Sequence, residues 1–179
     1  AYDAKIYALK ITQGSSNKAY ESDVIEAWEW CINHKNDDPQ NPLLIVSHSF
    51  GGGRYASAEQ AEQASPAMAQ VAQNLVKNGI TIFAASGTDC YTDALAAPAA
   101  CSCVISVGAV YDSNIGGVAY SNCTDNFTAP DQVACFSNSS DDLIILAPGA
   151  GILASGITLF GTSQAAPHVS GAIAILRSA

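Results

Sequence analysis

The sequence predicts one α/β domain of three layers, α/β/α, around a mainly parallel sheet. Two observations point to it. Short apolar runs alternate with amphipathic stretches from the start of the chain, and no linker, repeat or low-complexity tract divides them. At 179 residues, 49% of them hydrophobic and 13% charged, the chain can bury a real core, so residues 1–179 are expected to form a single unit.

Taken in order, Lys5 to Ile11 alternates apolar with polar side chains and predicts a strand. Ala19 to His34 predicts a helix, because Val24, Ile25, Trp28 and Cys31 recur at helical spacing, and the polar run Asn33 to Asn41 with Pro39 ends it. Trp28 and Trp30 lie two apart on that helix and cannot share a face, so one packs inward and the other sits at a margin. Leu43 to Ser47 predicts a buried strand. Ser65 is placed to cap a helix with Pro66 in its first turn and Gly79 ending it after Lys77 and Asn78. Ile80 to Ala85, Val104 to Val107 and Leu143 to Leu146 predict further buried strands, and a helix after Ser163 closes the chain.

Charge narrows the function classes. A net charge of -9, with seven Lys and Arg scattered along the chain, leaves no basic patch for nucleic acid or an anionic membrane. It suits basic peptide substrates. No apolar run is long enough to cross a bilayer, and the first residues lack the basic start and long apolar core of a leader. The expectation is a chain whose leader has been removed, or a piece of a larger protein.

The six cysteines, at 31, 90, 101, 103, 123 and 135, are spaced too irregularly for zinc; Cys101 and Cys103 have one intervening residue where zinc pairs have two to four. Disulfides are expected between Cys123 and Cys135 and between Cys90 and either Cys101 or Cys103, with buried free thiols as the alternative. Such bridges imply an oxidising compartment and an extracellular or secreted protein.

The chemistry concentrates in Gly161-Thr-Ser-Gln-Ala-Ala-Pro-His-Val-Ser-Gly171. There a glycine turn runs into an apolar helix with Ser163 at its head. First-turn N–H groups lack intrahelical partners and carry the positive end of the helix dipole, so an oxyanion formed beside Ser163 meets donors already aimed at it. Ser163 is therefore the candidate nucleophile. The segment resembles the nucleophile signature of the subtilisin-like serine proteases, the subtilases: G-T-S, a few small residues, then P-H-V-S/A-G.

The resemblance runs nearly the whole length. Ala1 to Ile11 looks like the family strand after the catalytic histidine helix, Leu44 to Gly52 like the strand and turn that pair with substrate, and Ile80 to Thr88 like the strand ending at the oxyanion residue. Ala97-Pro98, Val104 to Ala109, Phe136-Ser-Asn138 and Leu146 to Gly149 match later landmarks. The resemblance implies that Ser49, Phe50 and Gly51 bind an extended peptide through their main chain, and that Ala85, Ser86 and Gly87 wall the pocket for the residue before the cleaved bond. It implies no catalytic cofactor. Structural calcium is common in the family, but no Asp-rich loop here marks a site.

Three departures stand out. The family's oxyanion asparagine, the last residue of A-A-G-N, is Thr88 here. The Asp and His motifs, D-S/T-G and H-G-T-H, do not occur, and His34, His48 and His168 are poorly placed to replace the base. The family domain also continues beyond the nucleophile helix. The expectation is a middle-to-late portion of a subtilase catalytic domain, partnered by the N-terminal part that carries Asp and His, and inactive alone. Two alternatives remain open: a catalytically silent peptide-binding fragment, and an α/β-hydrolase esterase using Ser49 as nucleophile with Asp141 or Asp142 and His168.

Overall fold

The computed structural model describes residues 3–12, 14 and 18–178. Its elements in chain order are α1 (Glu21–Asn33), β1 (Ile45–His48), β2 (Gly52–Tyr55), α2 (Ala58–Ala64), α3 (Pro66–Lys77), β3 (Thr81–Ala85) and β4 (Leu95–Ala97). There follow β5 (Ile105–Tyr111), β6 (Val118–Ala119), β7 (Thr124–Asp125), β8 (Ile145–Ala150), β9 (Ile152–Ala154), β10 (Ile157–Leu159) and α4 (Thr162–Ser178).

Four strands form the central sheet in the order β1-β3-β5-β8, parallel at every step. Successive side chains on a strand point to opposite faces, and β3 shows the result. Ile82 and Ala84 face a core shared with Val24, Trp28 and Cys31 of α1 and Met68, Val71 and Leu75 of α3. Phe83 and Ala85 face a second core with Ala165, Ala166 and Val169 of α4. Both faces of the sheet are thus covered by helix, as a parallel sheet requires, and the layers are α/β/α. Three two-stranded ribbons, β2 with β4, β6 with β7 and β9 with β10, decorate this frame.

The periodic elements fall where their patterns place them, with shifted ends. The strand expected at Val104 to Val107 extends to Tyr111, and that expected at Leu143 to Leu146 starts at Ile145 and runs to Ala150; it is not buried where expected, since Ile144, Ile145 and Leu146 are exposed and only its later residues enter the core. Trp28 is buried, while Trp30 sits at the margin and stacks on His34 with ring centroids 4.3 Å apart. Ser65 does stand at the head of α3, but its hydroxyl bonds the Glu21 carboxylate and not the helix's own amides, so Pro66 sets the helix start.

Two expectations are corrected. Lys5 to Ile11 is not a strand. The segment lies on the surface with Ile6, Tyr7 and Leu9 exposed, tethered by Lys5 to Asp38 at 2.6 Å and by Tyr7 against Trp30. Alternation selects a face only when a neighbouring strand offers an edge, and no described strand pairs here. Ala1 and Tyr2 of the same motif lie outside the described residues.

The cysteine pairing is half right. Cys123 and Cys135 form a disulfide with Cα atoms 6.0 Å apart. Cys90 pairs with neither Cys101 nor Cys103, because Cys101 is buried in the core beneath α1 and α3, whereas Cys90 packs against the α4 core on the other side of the sheet. Burial pushes the Cys31 thiol up to about 11 and that of Cys101 up to about 12, so both remain protonated.

Candidate active site

In a parallel sheet every strand ends at the same edge, and loops from different strands meet there. The chain leaving β1 meets the chain leaving β3 and the head of α4 around a pocket of about 240 Å³. Seven of the eight expected site residues line it: Ser49, Phe50, Gly51, Ala85, Gly87, Thr88 and Ser163. Ser86 does not. It is fully buried, with its hydroxyl donating to Asn138 O at 2.8 Å and its N–H to Val107 O at 2.9 Å, because alternation along β3 turns it away from the pocket. Asp89, Ala96 and Thr162 also line the pocket. Thr162 belonged to the glycine-threonine-serine turn already singled out; nothing local in the sequence marked Asp89 or Ala96.

The position of Ser163 follows from its own helix. Gly161 N–H donates to Gly149 O at 2.8 Å and fastens the turn, and α4 begins at Thr162. Pro167 has no N–H, so the carbonyl of Ser163, four residues earlier, loses its helical donor. Ser49 Oγ supplies the replacement, donating to Ser163 O at 2.8 Å, and Ser163 Oγ donates back to Ser49 O at 3.0 Å. This reciprocal clasp joins residues 114 apart in sequence and locks the head of α4 to the end of β1.

The opposite wall is the chain after β3. Gly87 has φ +111, and a Cβ there would run into the side-chain amide of Asn138, so only glycine fits. Its N–H donates to Thr162 Oγ1 at 3.2 Å, and Thr88 Oγ1 lies 3.3 Å from the same oxygen. Thr88 thus stands where the family pattern has a carboxamide, with its hydroxyl beside that of Thr162 in the same pocket as Ser163. Asn138, fully buried, holds this loop from behind: its Oδ1 accepts from the N–H groups of Asp89 at 2.8 Å and Tyr91 at 3.2 Å, and its Nδ2 donates to Asp89 Oδ2 at 3.0 Å. On the docking edge, a Cβ on Gly51 would meet Ala97 O at 2.7 Å, while one on Gly52 would meet open space. Only Gly51 is required by close approach.

No imidazole reaches Ser163. His168 is exposed with Nδ1 2.7 Å from Gln164 O, and His34 is half-buried with Nδ1 2.7 Å from Asp37 Oδ2. His48 is buried edge-on against Trp28, and burial pushes it down to about 4, so it is neutral. The hydroxyl of Ser163 donates instead to a carbonyl, which cannot take its proton.

The esterase alternative fails on geometry. A strand, β2, follows Ser49 where a nucleophile elbow needs a helix. Asp142 O accepts from Ser106 Oγ near the start of β5, which puts Asp141 and Asp142 at the far end of the sheet from Ser49. Among the described residues no group of three or more His, Cys, Asp and Glu is arranged to hold a metal ion.

A sequence model of the Subtilase family matches residues 1–179. The chain is similar to the major intracellular serine protease of Bacillus subtilis, with 29% identity over 99% of this chain and 48% of that one. It is also similar to a subtilisin-like protease of Coccidioides posadasii, with 31% identity over 98% of this chain and 39% of the relative. Among solved structures, the prenylagaramide maturation protease PagA superposes with a TM-score of 0.68 and 27% identity, over 94% of this chain and 53% of that one. The chain thus spans about half the length, or less, of the proteins it matches.

Proposed function

The chain belongs to the subtilase family, and from that premise we propose that it supplies the nucleophile, the oxyanion wall and the peptide-docking edge of a serine endopeptidase, with the catalytic Asp and His coming from outside these residues. The observation that supports this reading is the meeting of Ser163, Thr88 and the Ser49–Gly51 edge around one pocket. Ser163 Oγ attacks the scissile carbonyl. The Ser163 N–H and the hydroxyls of Thr88 and Thr162 face the developing oxyanion. An extended peptide takes the main-chain groups of Ser49 to Gly51. When a substrate N–H occupies Ser49 O, it displaces the Ser163 hydroxyl from that carbonyl and frees it for an incoming base.

Among the described residues Asp89 is the one charged side chain lining the pocket, and it forms no salt bridge with a described cation. It favours a basic side chain before the cleaved bond. The missing part of the domain has a surface to occupy: an apolar groove of about 490 Å³ lies between the sheet and the end of α4, lined by Phe83, Ile105, Ile145, Val169, Ile173 and Leu176 among others. The Cys123–Cys135 disulfide supports action in an oxidising, extracellular setting. A second reading, a catalytically silent peptide-binding portion, draws support from Thr88 in place of a carboxamide and from the carbonyl-bound Ser163 hydroxyl.

One experiment separates the two. A front-half polypeptide carrying the family Asp and His motifs is added to this chain, and hydrolysis of peptides that differ only in Lys or Glu before the cleaved bond is followed. Hydrolysis should appear only in the mixture, favour Lys and vanish in Ser163→Ala. A Thr88→Asn variant should be faster, since removing such a side-chain donor costs roughly 10²- to 10³-fold in turnover. A folded complex that stays inert even with Thr88→Asn would leave the silent reading standing.

A further inference from the structure

We propose that Cys90, Cys123 and Cys135 form a thiol–disulfide exchange centre behind the pocket, in which one disulfide moves between the Cys123–Cys135 and Cys90–Cys123 linkages. The free Cys90 Sγ lies 2.9 Å from Cys123 Sγ, so the thiol already touches one sulfur of the disulfide. All three cysteines are half-buried. Their backbones are interlocked: Cys90 N–H donates to Phe136 O at 3.1 Å, one residue beyond Cys135, and Cys135 N–H donates to Asp125 Oδ2 at 2.9 Å, two residues beyond Cys123.

The step balances without any external oxidant. Cys90 gives its proton to solvent and attacks Cys123 Sγ; the Cys90–Cys123 bond forms, the Cys123–Cys135 bond breaks, and Cys135 leaves as a thiolate that takes a proton from solvent. One disulfide and one thiol stand on each side. Burial, with the carboxylates of Asp89 and Asp125, raises Cys90 above the usual thiol range and keeps it protonated at rest, which slows the exchange.

The consequence reaches the pocket through the chain. Cys90 immediately follows Asp89, which lines the pocket, and lies two residues after Thr88. The N–H groups on either side of it, of Asp89 and Tyr91, share the single acceptor Asn138 Oδ1. A bond from Cys90 to Cys123 therefore ties this wall to the ribbon of β6 and β7, whereas the Cys123–Cys135 bond leaves the wall free of that tether.

The exchange does not depend on the protease reading; only its coupling to the pocket does. The chain is held in glutathione redox buffer, free thiols are trapped by rapid alkylation, and linkages are mapped by mass spectrometry without reduction. Both the Cys123–Cys135 and Cys90–Cys123 peptides should be found, with Cys90→Ser holding the first alone and Cys135→Ser the second. Cys123–Cys135 as the sole linkage in the wild-type chain at all times would overturn the exchange, whether or not Cys135→Ser folds. Peptide affinity of the two locked forms should differ on the order of tenfold, since a small misplacement of a site wall is costly. Equal affinity in both would overturn the coupling; binding to neither form would count against the peptide groove itself.

Discussion

On the face of the sheet covered by α1 and α3, the core is built from Trp28, Met68, Val71, Leu75, Ile80 and Ile82. On the face covered by α4 the contacts run through Ala85, Ala109, Ala147, Ala165 and Ala166, with Phe83, Tyr111 and Phe136 as the large members. The first face removes much apolar area from water and stabilises the fold in proportion to that area. The second gains less per residue, but small side chains let α4 lie close to the sheet and fix Ser163 relative to the ends of β1 and β3. Stability and positional accuracy have been divided between the two sides of one sheet, and the site belongs to the second.

Deleting bulk from the first face tests that division most severely. Leu75→Ala, at a fully buried position, should cost about 2–5 kcal/mol in urea unfolding while changing peptide affinity far less. An equal loss in binding would show that the two faces are not separable.

Acid should act on the same face through His48. Burial holds its folded pKa at about 4 against an ordinary 6.5, so between those values the unfolded chain binds more protons than the folded one. Stability is therefore complete above about pH 6.5 and is lost as the pH falls towards 4, by on the order of 3 kcal/mol. A urea midpoint that stays level from pH 7 to 4.5, or one that falls as steeply in His48→Phe, would contradict the assignment.

Adding bulk to the second face should do the converse of Leu75→Ala. Ala165→Leu, in a position with no exposed surface, should overpack the contact between α4 and the sheet and cost about 1–3 kcal/mol. Its larger effect should fall on peptide binding, because the helix that moves carries Ser163; unchanged affinity would mean that the close packing is not what positions the serine.

The smallest change tests the clasp. Ser49→Ala strips Ser163 O of its donor and should cost about 1 kcal/mol. Pro167→Ala restores an N–H four residues on, so the double variant should recover part of that loss in a double-mutant cycle. Strict additivity would show that the missing proline N–H is not the reason for the Ser49 bond.

Much of this architecture was legible because its signals are periodic and local. Val24, Trp28 and Cys31 declare the buried stripe of α1, the apolar run Ile80 to Ala85 declares β3, and the glycine turn before Ser163 declares the head of α4. The same kind of signal misled at Lys5 to Ile11, where alternation without a neighbouring edge leaves exposed chain, and at Ser86, where a residue next to the pocket in sequence is turned into the core.

By itself the sequence determined the alternation of strand and helix and the serine at the start of the last helix, since each rests on spacing that a short stretch of chain contains. Only the tertiary structure decided that Ser49 and Ser163 would clasp each other across 114 residues, that Asn138 would hold the Thr88 loop from behind, and that Cys90 would lie against Cys123. Those contacts depend on which strand ends share an edge and which core a side chain enters, and both are fixed when the sheet assembles, not by the residues on either side.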